Sequence, residues 1–452
     1  MLSKFWRTVL FFTFAGVFLI TAPLVVLHTA GYRYNIQNGK VLQTGILNIR
    51  SVPKGASVFI DGDLQNERTP SVIDNIGPGT HVVEVKKDGY SSWRKTLDVQ
   101  SRQTTFIPSI VLFLTEPGFP RAQDIFSTQP ILHPATGHLA YLKENNDQME
   151  IWVHLSSVGD SQKIGSFPIK KNVSPTLSWS PNGQYLLVTE EKTGRALRIF
   201  DIQTGGQRLL PESSIFSFDV RDSQRGYLFD PLSATGVSLM EFNLADGSQK
   251  TLPFHSDTTL SVGTDYYTVE NNAENKSEVT IISRINPQGI ATILAYLPVA
   301  SYQFVTAPAP YLLLQDKTHN RLVLLDTKDT TQPILLQTNA KLWDWSSSAS
   351  LLFSDGFDIE RYNPITHEHE TITRFSQPIW ALRWYPLGDE LVYGTQDELS
   401  ALELDRRGER NKTVLEKGLV AENIWFENEG NWVVTLGTKE NGWQLMRRQL
   451  QK

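Results

Sequence analysis

The residues of this sequence best suited by type and spacing to hold a metal ion are His367 and His369, which flank Glu368. Residues i and i+2 share one face of a strand, so two imidazoles at this spacing can approach a cation from one side. The flanking segments YNPIT and ETITRF, however, are typical of a polar turn between two outer strands. We therefore predict no metal site and no cofactor.

Carboxylates offer a second kind of chemistry, because a pair of them is what glycoside hydrolysis requires. The candidate acids are Asp219, Asp230, Asp344 and Asp389. Their regular position in turn segments favours solvated turn residues over a catalytic pair. The sequence also lacks a His-Glu-x-x-His motif, a phosphate-cradling glycine loop and a Gly-x-Ser-x-Gly elbow. We expect no enzyme activity, with a glycoside hydrolase as the enzymatic alternative.

Tryptophans crowd the last quarter of the chain, at Trp343, Trp345, Trp380, Trp384, Trp425 and Trp432. Indole faces suit sugar rings, but large aromatic side chains on repeated strands also fill the core between neighbouring sheets. The core interpretation is favoured, and a ligand platform is the alternative. No catalytic, cofactor-binding or metal-binding residue is predicted, and the ligand is unknown.

Composition restricts the class of protein further. A chain of 452 residues exceeds one ordinary domain, so two or more folded units are expected. The net charge is −6, yet residues 1–44 contain only basic charges, so the remainder is more acidic still and nucleic acid is not an expected partner. The absence of cysteine excludes disulfides, thiolate metal sites and cysteine nucleophiles.

The N-terminus predicts a membrane anchor. Residues 9–27 are uncharged and apolar, and as a helix they are long enough to cross about 30 Å of hydrocarbon. Lys4 and Arg7 precede this stretch, which favours a cytoplasmic tail (1–8), a transmembrane helix (9–30) and a body outside the cytoplasm. A cleaved signal peptide and a buried core helix are the alternatives. The sequence offers no good small-x-small site for signal-peptide cleavage, because Pro23 follows Ala22. The lipid bilayer is therefore a predicted partner of a single-pass membrane protein.

A small β-sandwich is expected after a polar tether or strand pair (31–44), because residues 45–114 contain short alternating strands separated by glycine turns. Several of its motifs resemble the PEGA domain. They are Pro53-Lys54-Gly55-Ala56, Val58, Asp61-Gly62, Thr69-Pro70, Gly77-Pro78-Gly79 with His81, and Lys87-Asp88-Gly89-Tyr90. Lys54 departs from the glutamate of the family's Pro-Glu-Gly-Ala motif at an exposed turn. The resemblance implies an extracytoplasmic module on a membrane-anchored protein and implies no activity.

Residues 119–452 form a series of repeats with a period of about 40 residues, which predicts four-stranded propeller blades. The clearest copy, residues 176–211, has a Ser180-Pro181-Asn182-Gly183 turn between its first two strands. This turn and the neighbouring Trp179 resemble WD-type and TolB-like propellers. We count eight copies, with seven blades and a β-solenoid as alternatives, and expect an all-β fold apart from the N-terminal helix.

The last repeat lacks its fourth strand, because the chain stops at Lys452 soon after WQLMRRQL. The segment RAQDIF, residues 121–126, precedes the first repeat and has no blade of its own. We predict that it pairs with residues 443–450 and closes the ring, and that TEPG (115–118) is a hinge. Residues 45–114 are then expected to fold alone.

The leading functional hypothesis is a membrane-tethered extracytoplasmic binding or scaffold protein. It presents the PEGA-like module and the propeller to a protein or cell-envelope polysaccharide partner. The alternatives are a glycan-binding surface receptor and a propeller glycoside hydrolase.

Overall fold

A computed structural model describes residues 4–29, 31–35, 40–116, 121–125, 130–133, 135–155, 161–169, 173–190, 196–211, 214–230, 238–256, 258–272, 279–439 and 442–452. Within them, one helix is long and apolar enough to cross a membrane: α1 (Lys4–Thr29), whose segment Phe5–Leu27 has a mean hydropathy of 2.5. Threonine hydroxyls inside α1 donate to carbonyls four residues earlier, as Thr13 does to Val9 at 2.9 Å. Such local bonds satisfy polar groups where water is absent. The predicted apolar helix is confirmed.

A strand pair follows the helix. β1 (Tyr32–Asn35) and β2 (Lys40–Gln43) are antiparallel, with Tyr32 opposite Gln43. Residues 36–39, which connect them in sequence and include Asn38-Gly39, lie outside the described part. At the open end of the hairpin, the Thr44 amide donates to the Gly31 carbonyl at 3.0 Å, so the chain leaves the hairpin close to where it entered.

The small module consists of two sheets packed face to face. Its strands are β3 (Gly45–Val52), β4 (Ser57–Ile60), β5 (Asp63–Arg68), β6 (Ser71–Ile76), β7 (Gly79–Lys86), β8 (Trp93–Val99) and β9 (Thr104–Val111). The first sheet has the order β6-β3-β9, with β3 and β9 parallel, and the second has the order β5-β4-β7-β8. The buried side chains of both sheets, among them Leu47, Val85 and Ile107, form one core cluster. The predicted sandwich is confirmed.

The PEGA-like motifs form the turns of this module. The Thr69 hydroxyl accepts the Ala56 amide at 3.0 Å, so the Thr-Pro motif holds the Pro-Lys-Gly-Ala corner in place. Asp61 adopts a positive φ of 53° at the Asp-Gly turn, and its carboxylate contacts His81 Nδ1 at 2.6 Å. Motifs that are distant in the sequence are thus joined by side-chain hydrogen bonds.

The remaining described strands form antiparallel four-stranded sheets, most of them consecutive in sequence. The first two contain β11 (Ile131–Leu132), β12 (Leu139–Asn145), β13 (Gln148–His154) and β14 (Ser161–Pro168), then β15 (Thr176–Trp179), β16 (Tyr185–Glu190), β17 (Ala196–Asp201) and β18 (Gln207–Leu209). The next two contain β19 (Ile215–Phe218), β20 (Arg225–Asp230), β21 (Ser238–Asn243) and β22 (Gln249–Thr251), then β23 (Thr258–Val262), β24 (Asp265–Asn272), β25 (Val279–Ile285) and β26 (Ala291–Pro298).

Three further sheets continue this arrangement. They contain β27 (Tyr302–Val305), β28 (Tyr311–Asp316), β29 (Arg321–Asp326) and β30 (Ile334–Asn339), then β31 (Leu342–Trp345), β32 (Leu351–Ser354), β33 (Asp358–Tyr362) and β34 (His369–Arg374), then β35 (Ala381–Trp384), β36 (Glu390–Gly394), β37 (Glu398–Glu403) and β38 (Lys412–Lys417). First strands of neighbouring sheets contact one another, as β31 does β35, and apolar clusters fill the space between sheets. This is the arrangement of blades in a β-propeller.

The last sheet joins the two ends of the propeller. β39 (Asn423–Glu427), β40 (Trp432–Lys439) and β41 (Gly442–Gln449) come from the C-terminus, with a short 3-10 helix (Asn428–Gly430) after β39, and β10 (Arg121–Ile125) supplies the outer strand. Arg121 lies opposite Arg447, and Ile125 lies opposite Trp443. The predicted pairing of this segment with the last strand is confirmed for residues 121–125; Phe126 lies outside the described part.

Candidate functional site

The end of β9 is buried in the propeller. Val111 and Phe113 belong to the same apolar cluster as Leu450 and Tyr385, and the Phe113 and Tyr385 rings meet edge to face at 5.3 Å. The Leu114 amide donates to the Leu450 carbonyl at 3.1 Å. The module is therefore packed against the propeller where the last two sheets meet. Of the predicted hinge at 115–118, only Thr115 and Glu116 are described.

A buried ion pair lies beside Val111 and Phe113, which we call the plug. Lys95 Nζ donates to Glu403 Oε2 at 2.9 Å, and the lysine side chain is fully buried. Trp93 Nε1 donates to the other oxygen of Glu403 at 3.0 Å, and Asn411 Nδ2 donates to Oε2 at 2.8 Å. Removing two charges from water is costly unless the pair is fully hydrogen-bonded, and here both carboxylate oxygens have donors.

Glu390 faces this pair from the neighbouring strand. It lies opposite Glu403 in the β36–β37 register, and its Oε1 accepts the Val111 amide at 3.3 Å. Burial raises the pKa of Glu390 well above its ordinary value, and the adjacent negative charge of Glu403 raises it further. The two glutamates thus differ: Glu403 is paired with a cation, whereas Glu390 favours its neutral form.

The contact between the module and the propeller, formed by the plug and the Lys95–Glu403 pair, is called the seam below. A cleft of about 690 Å³ opens next to the seam, between β9 and the sheets β31–β34 and β35–β38. It falls in the size range of small-molecule sites. Its lining includes Ile107, Pro108 and Ser109 of the module, Trp345, Ser346 to Ser348 and Arg361 of one sheet, Trp384 and Asp389 of the next, and the loop residues Glu368, Asp405, Arg406 and Arg407. Both folded units contribute walls, so the cleft exists only when the module is docked.

Two tryptophans of the cleft are held in place through their ring nitrogens. Trp345 Nε1 donates to the Thr306 carbonyl at 3.0 Å, and Trp384 Nε1 donates to the Asp344 carbonyl at 3.3 Å. The Asp344 carboxylate accepts the Trp384 amide at 2.9 Å and pairs with Arg383 at 3.0 Å. Burial raises the pKa of Asp344, and the attraction of Arg383 opposes that shift. Both indoles are therefore positioned by hydrogen bonds before any ligand arrives.

The other tryptophans differ in their surroundings. Trp425 is buried in the cluster between the last sheet and the first. Trp343 packs against an apolar cluster between two sheets, as the cleft residues Trp345 and Trp384 also do, in agreement with the core interpretation. Trp432 lies under the Arg447 guanidinium, 4.0 Å from the ring centre, and Trp380 is more than a third exposed. The six residues therefore do not form one platform.

The histidine pair lies at the polar turn before an outer strand. His369 Nε2 contacts Glu360 Oε2 at 2.6 Å, and His367 Nδ1 contacts the Tyr362 hydroxyl at 3.2 Å. Among the described residues no group of three histidine or acidic side chains has the arrangement of a metal site.

Among the predicted acids, Asp344 and Asp389 both line the cleft. Asp219 is buried and accepts the Tyr227 hydroxyl at 2.6 Å and the Ser261 amide at 2.8 Å, which gives it a structural task. The side chain of Asp230 lies outside the described part.

Sequence reasoning missed Lys95, Glu390 and Glu403. A signal for the lysine exists, because β8 alternates and places Lys95 on the same face as Trp93, Leu97 and Val99. A lysine in the apolar register of a strand predicts a buried partner. Nothing local indicates that this partner lies in the propeller.

Comparison with known proteins identifies the family of the small module. Residues 44–109 match the PEGA domain, which confirms the resemblance of the module. A search of curated proteins found no match. Solved structures similar to this chain include the C-terminal WD40 domain of Sif2 (12% identity, 73% of this chain and 99% of that chain, TM-score 0.45), Sqt1 of Saccharomyces cerevisiae (12%, 73% and 97%, 0.44) and the uncharacterized protein lmo1340 of Listeria monocytogenes EGD-e (13%, 64% and 97%, 0.41).

Proposed function

We propose that this chain is a membrane-tethered extracytoplasmic binding protein that holds its propeller close to the bilayer for a partner in the cell envelope. The observation that supports this most strongly is the seam. The PEGA module directly follows the helix and hairpin, and it is joined to the propeller by the Val111–Phe113 plug and the buried Lys95–Glu403 pair. A propeller fixed in this way is displayed at a short, defined distance from its anchor.

The orientation follows from charge. Lys4 and Arg7 precede the apolar helix and Asp and Glu are absent up to Thr44, which keeps the short N-terminal tail in the cytoplasm. The body is then outside. Protease added to intact, wall-stripped cells is expected to digest the propeller while a cytoplasmic marker protein stays whole. Digestion of the propeller only after lysis contradicts the orientation.

The binding role has its own test. The full chain in lipid nanodiscs is expected to sediment with envelope fragments of the source organism, and empty nanodiscs serve as the control. Equal sedimentation of both contradicts the proposal. Catalysis is not part of it, and a glycosidase screen that finds turnover lost in Asp389→Asn favours the hydrolase alternative instead.

A glycan-binding receptor is the second candidate. The observation in its favour is the cleft beside the seam, which places two fixed indoles and a run of serines together.

A further inference from the structure

We infer that the cleft between β9 and the sheets β31–β34 and β35–β38 binds an uncharged oligosaccharide. The inference rests on the proposed envelope-binding function and names the ligand class for it. Four properties of the cleft carry it: its internal charge balance, its hydroxyl groups, its two fixed tryptophans and its construction from two folded units.

The charged side chains of the cleft are mostly neutralised from within the protein. Arg407 pairs with Asp405 at 2.6 Å, Arg361 with Glu370 at 2.7 Å, and Arg406 with Glu368 at 3.4 Å. Glu403 is occupied by Lys95, and Asp344 by Arg383. Each lining guanidinium among the described residues already faces a carboxylate, which disfavours an anionic ligand.

Hydroxyl groups supply the remaining polar surface. Ser346 Oγ accepts the Ser350 amide at 2.9 Å and lies 3.0 Å from Ser348 Oγ, which orders this turn. Ser347 between them is exposed, and its hydroxyl has no partner within the described part of the chain. Asp389, on the opposite wall, is exposed and is the lining carboxylate without an ion-pair partner in the described residues. The Ser347 hydroxyl can donate and accept, and the Asp389 carboxylate can accept, so both can bond the hydroxyls of a sugar.

The tryptophans supply the apolar part of a sugar site. Because the Nε1 groups of Trp345 and Trp384 are already hydrogen-bonded to backbone carbonyls, the indoles lose little freedom when a ring packs on them.

The test is a binding titration with the full chain in nanodiscs, which avoids detergents with sugar heads. The probes are neutral malto-, cello-, manno- and chito-oligosaccharides. Oligogalacturonate and an uncharged peptide represent the two alternative ligand classes, an acidic sugar and a peptide. At least one neutral oligosaccharide is expected to bind, and Ser347→Trp, which fills the cleft from an exposed position, is expected to weaken it about tenfold or more. Thr330→Trp, at an exposed turn of another sheet, is the matched control and is expected to stay within about twofold.

A second variant guards against a local folding effect. Trp384→Phe keeps an aromatic ring on the apolar cluster but removes the bond to the Asp344 carbonyl, and it is expected to weaken the same sugar at a temperature where its melting curve shows a folded protein. The inference is overturned if no neutral oligosaccharide binds, or if Ser347→Trp and Thr330→Trp bind it equally. It is also overturned if Ser347→Trp loses binding only of the acidic sugar or of the peptide. If the unsubstituted chain binds none of the neutral oligosaccharides but still sediments with envelope fragments, this inference is rejected and the proposed envelope binding stands.

Discussion

At the scale of single residues, Lys95 is the side chain whose loss is expected to cost most stability. Lys95→Met leaves the Glu403 carboxylate buried with Trp93 and Asn411 but without its cation. Breaking a buried pair from one side typically costs about 3–5 kcal/mol. We expect a clear fall in the melting temperature of the full chain, measured by calorimetry.

The control for this substitution is Lys86→Met. Lys86 pairs with Glu84 at 2.8 Å, but it is about half exposed, so its loss is expected to change stability by less than about 1 kcal/mol. Equal effects of the two substitutions would show that the Lys95 pair contributes no more than a surface pair.

Glu390 predicts a dependence of stability on pH. A carboxyl whose pKa is raised in the folded state binds more protons folded than unfolded, so its contribution is full below the ordinary glutamate pKa and is lost as pH rises through the raised value. Glu390→Gln keeps an oxygen for the Val111 amide and cannot ionise. We expect its melting temperature relative to the wild type to be higher at about pH 8 than at about pH 5.

Glu144→Gln is the control for the pH series, because Glu144 is exposed on β12. Its difference from the wild type is expected to stay constant between the same two pH values. A constant difference for Glu390→Gln as well contradicts the assignment of a neutral buried acid.

At the scale of elements, β10 holds the first and last sheets of the propeller together. Ile125 is buried among Leu139, Trp425 and Leu445, which come from both ends of the domain. Ile125→Ala is expected to destabilise the propeller by about 2–5 kcal/mol, and deletion of residues 120–127 by more, because it also leaves β41 without a partner on one edge. Denaturant unfolding measures both.

Ile365→Ala gives the matched comparison for this strand. Ile365 is 67% exposed on a turn, so its truncation is expected to change stability by less than about 0.5 kcal/mol. An unchanged melting temperature after deletion of 120–127 contradicts a structural role for the closure.

The closing strand also indicates how far a sequence of this kind can be interpreted. A repeat that lacks one strand and a spare segment of the right length predict that residues 121–126 pair with residues 443–450, because an unpaired sheet edge is costly. The register, with Arg121 opposite Arg447, comes from the structure alone. The alternation of β8 predicts that Lys95 faces inward. It does not predict that Lys95 pairs with Glu403, which is 308 residues away in the sequence. Periodicity reports which face of a strand is buried, whereas contacts between distant surfaces depend on how two finished units fit together.

The same limit applies to the cleft. Trp345 and Trp384 belong to neighbouring repeats, so their proximity follows from the predicted order of sheets. The third wall, Ile107 to Ser109, comes from a different domain and from a strand whose pattern is typical of an ordinary sandwich. A site built between domains leaves no local motif in either one.

At the scale of the whole molecule, the apolar helix, the module and the propeller follow one another along the chain, and the seam joins the last two. The hairpin β1–β2 separates α1 from the module, and the plug of Val111 and Phe113 joins the module to the propeller. Under the proposed function, the propeller is connected to the helix through the seam, which also contains the Lys95–Glu403 pair. The strength of the seam therefore decides whether the propeller is presented rigidly.

The independence of the module gives the last prediction. Residues 45–114 contain a complete core cluster of both sheets, so this fragment is expected to unfold cooperatively on heating, at a lower temperature than the full chain because Val111 and Phe113 become exposed. In the fragment Glu403 is absent, and Lys95 returns to solvent. Lys95→Met is therefore expected to be nearly neutral in the fragment, within about 0.5 kcal/mol, while it destabilises the full chain. A fragment without cooperative unfolding contradicts the predicted boundary. A substitution that costs the same in both proteins places the effect of Lys95 inside the module rather than at the seam.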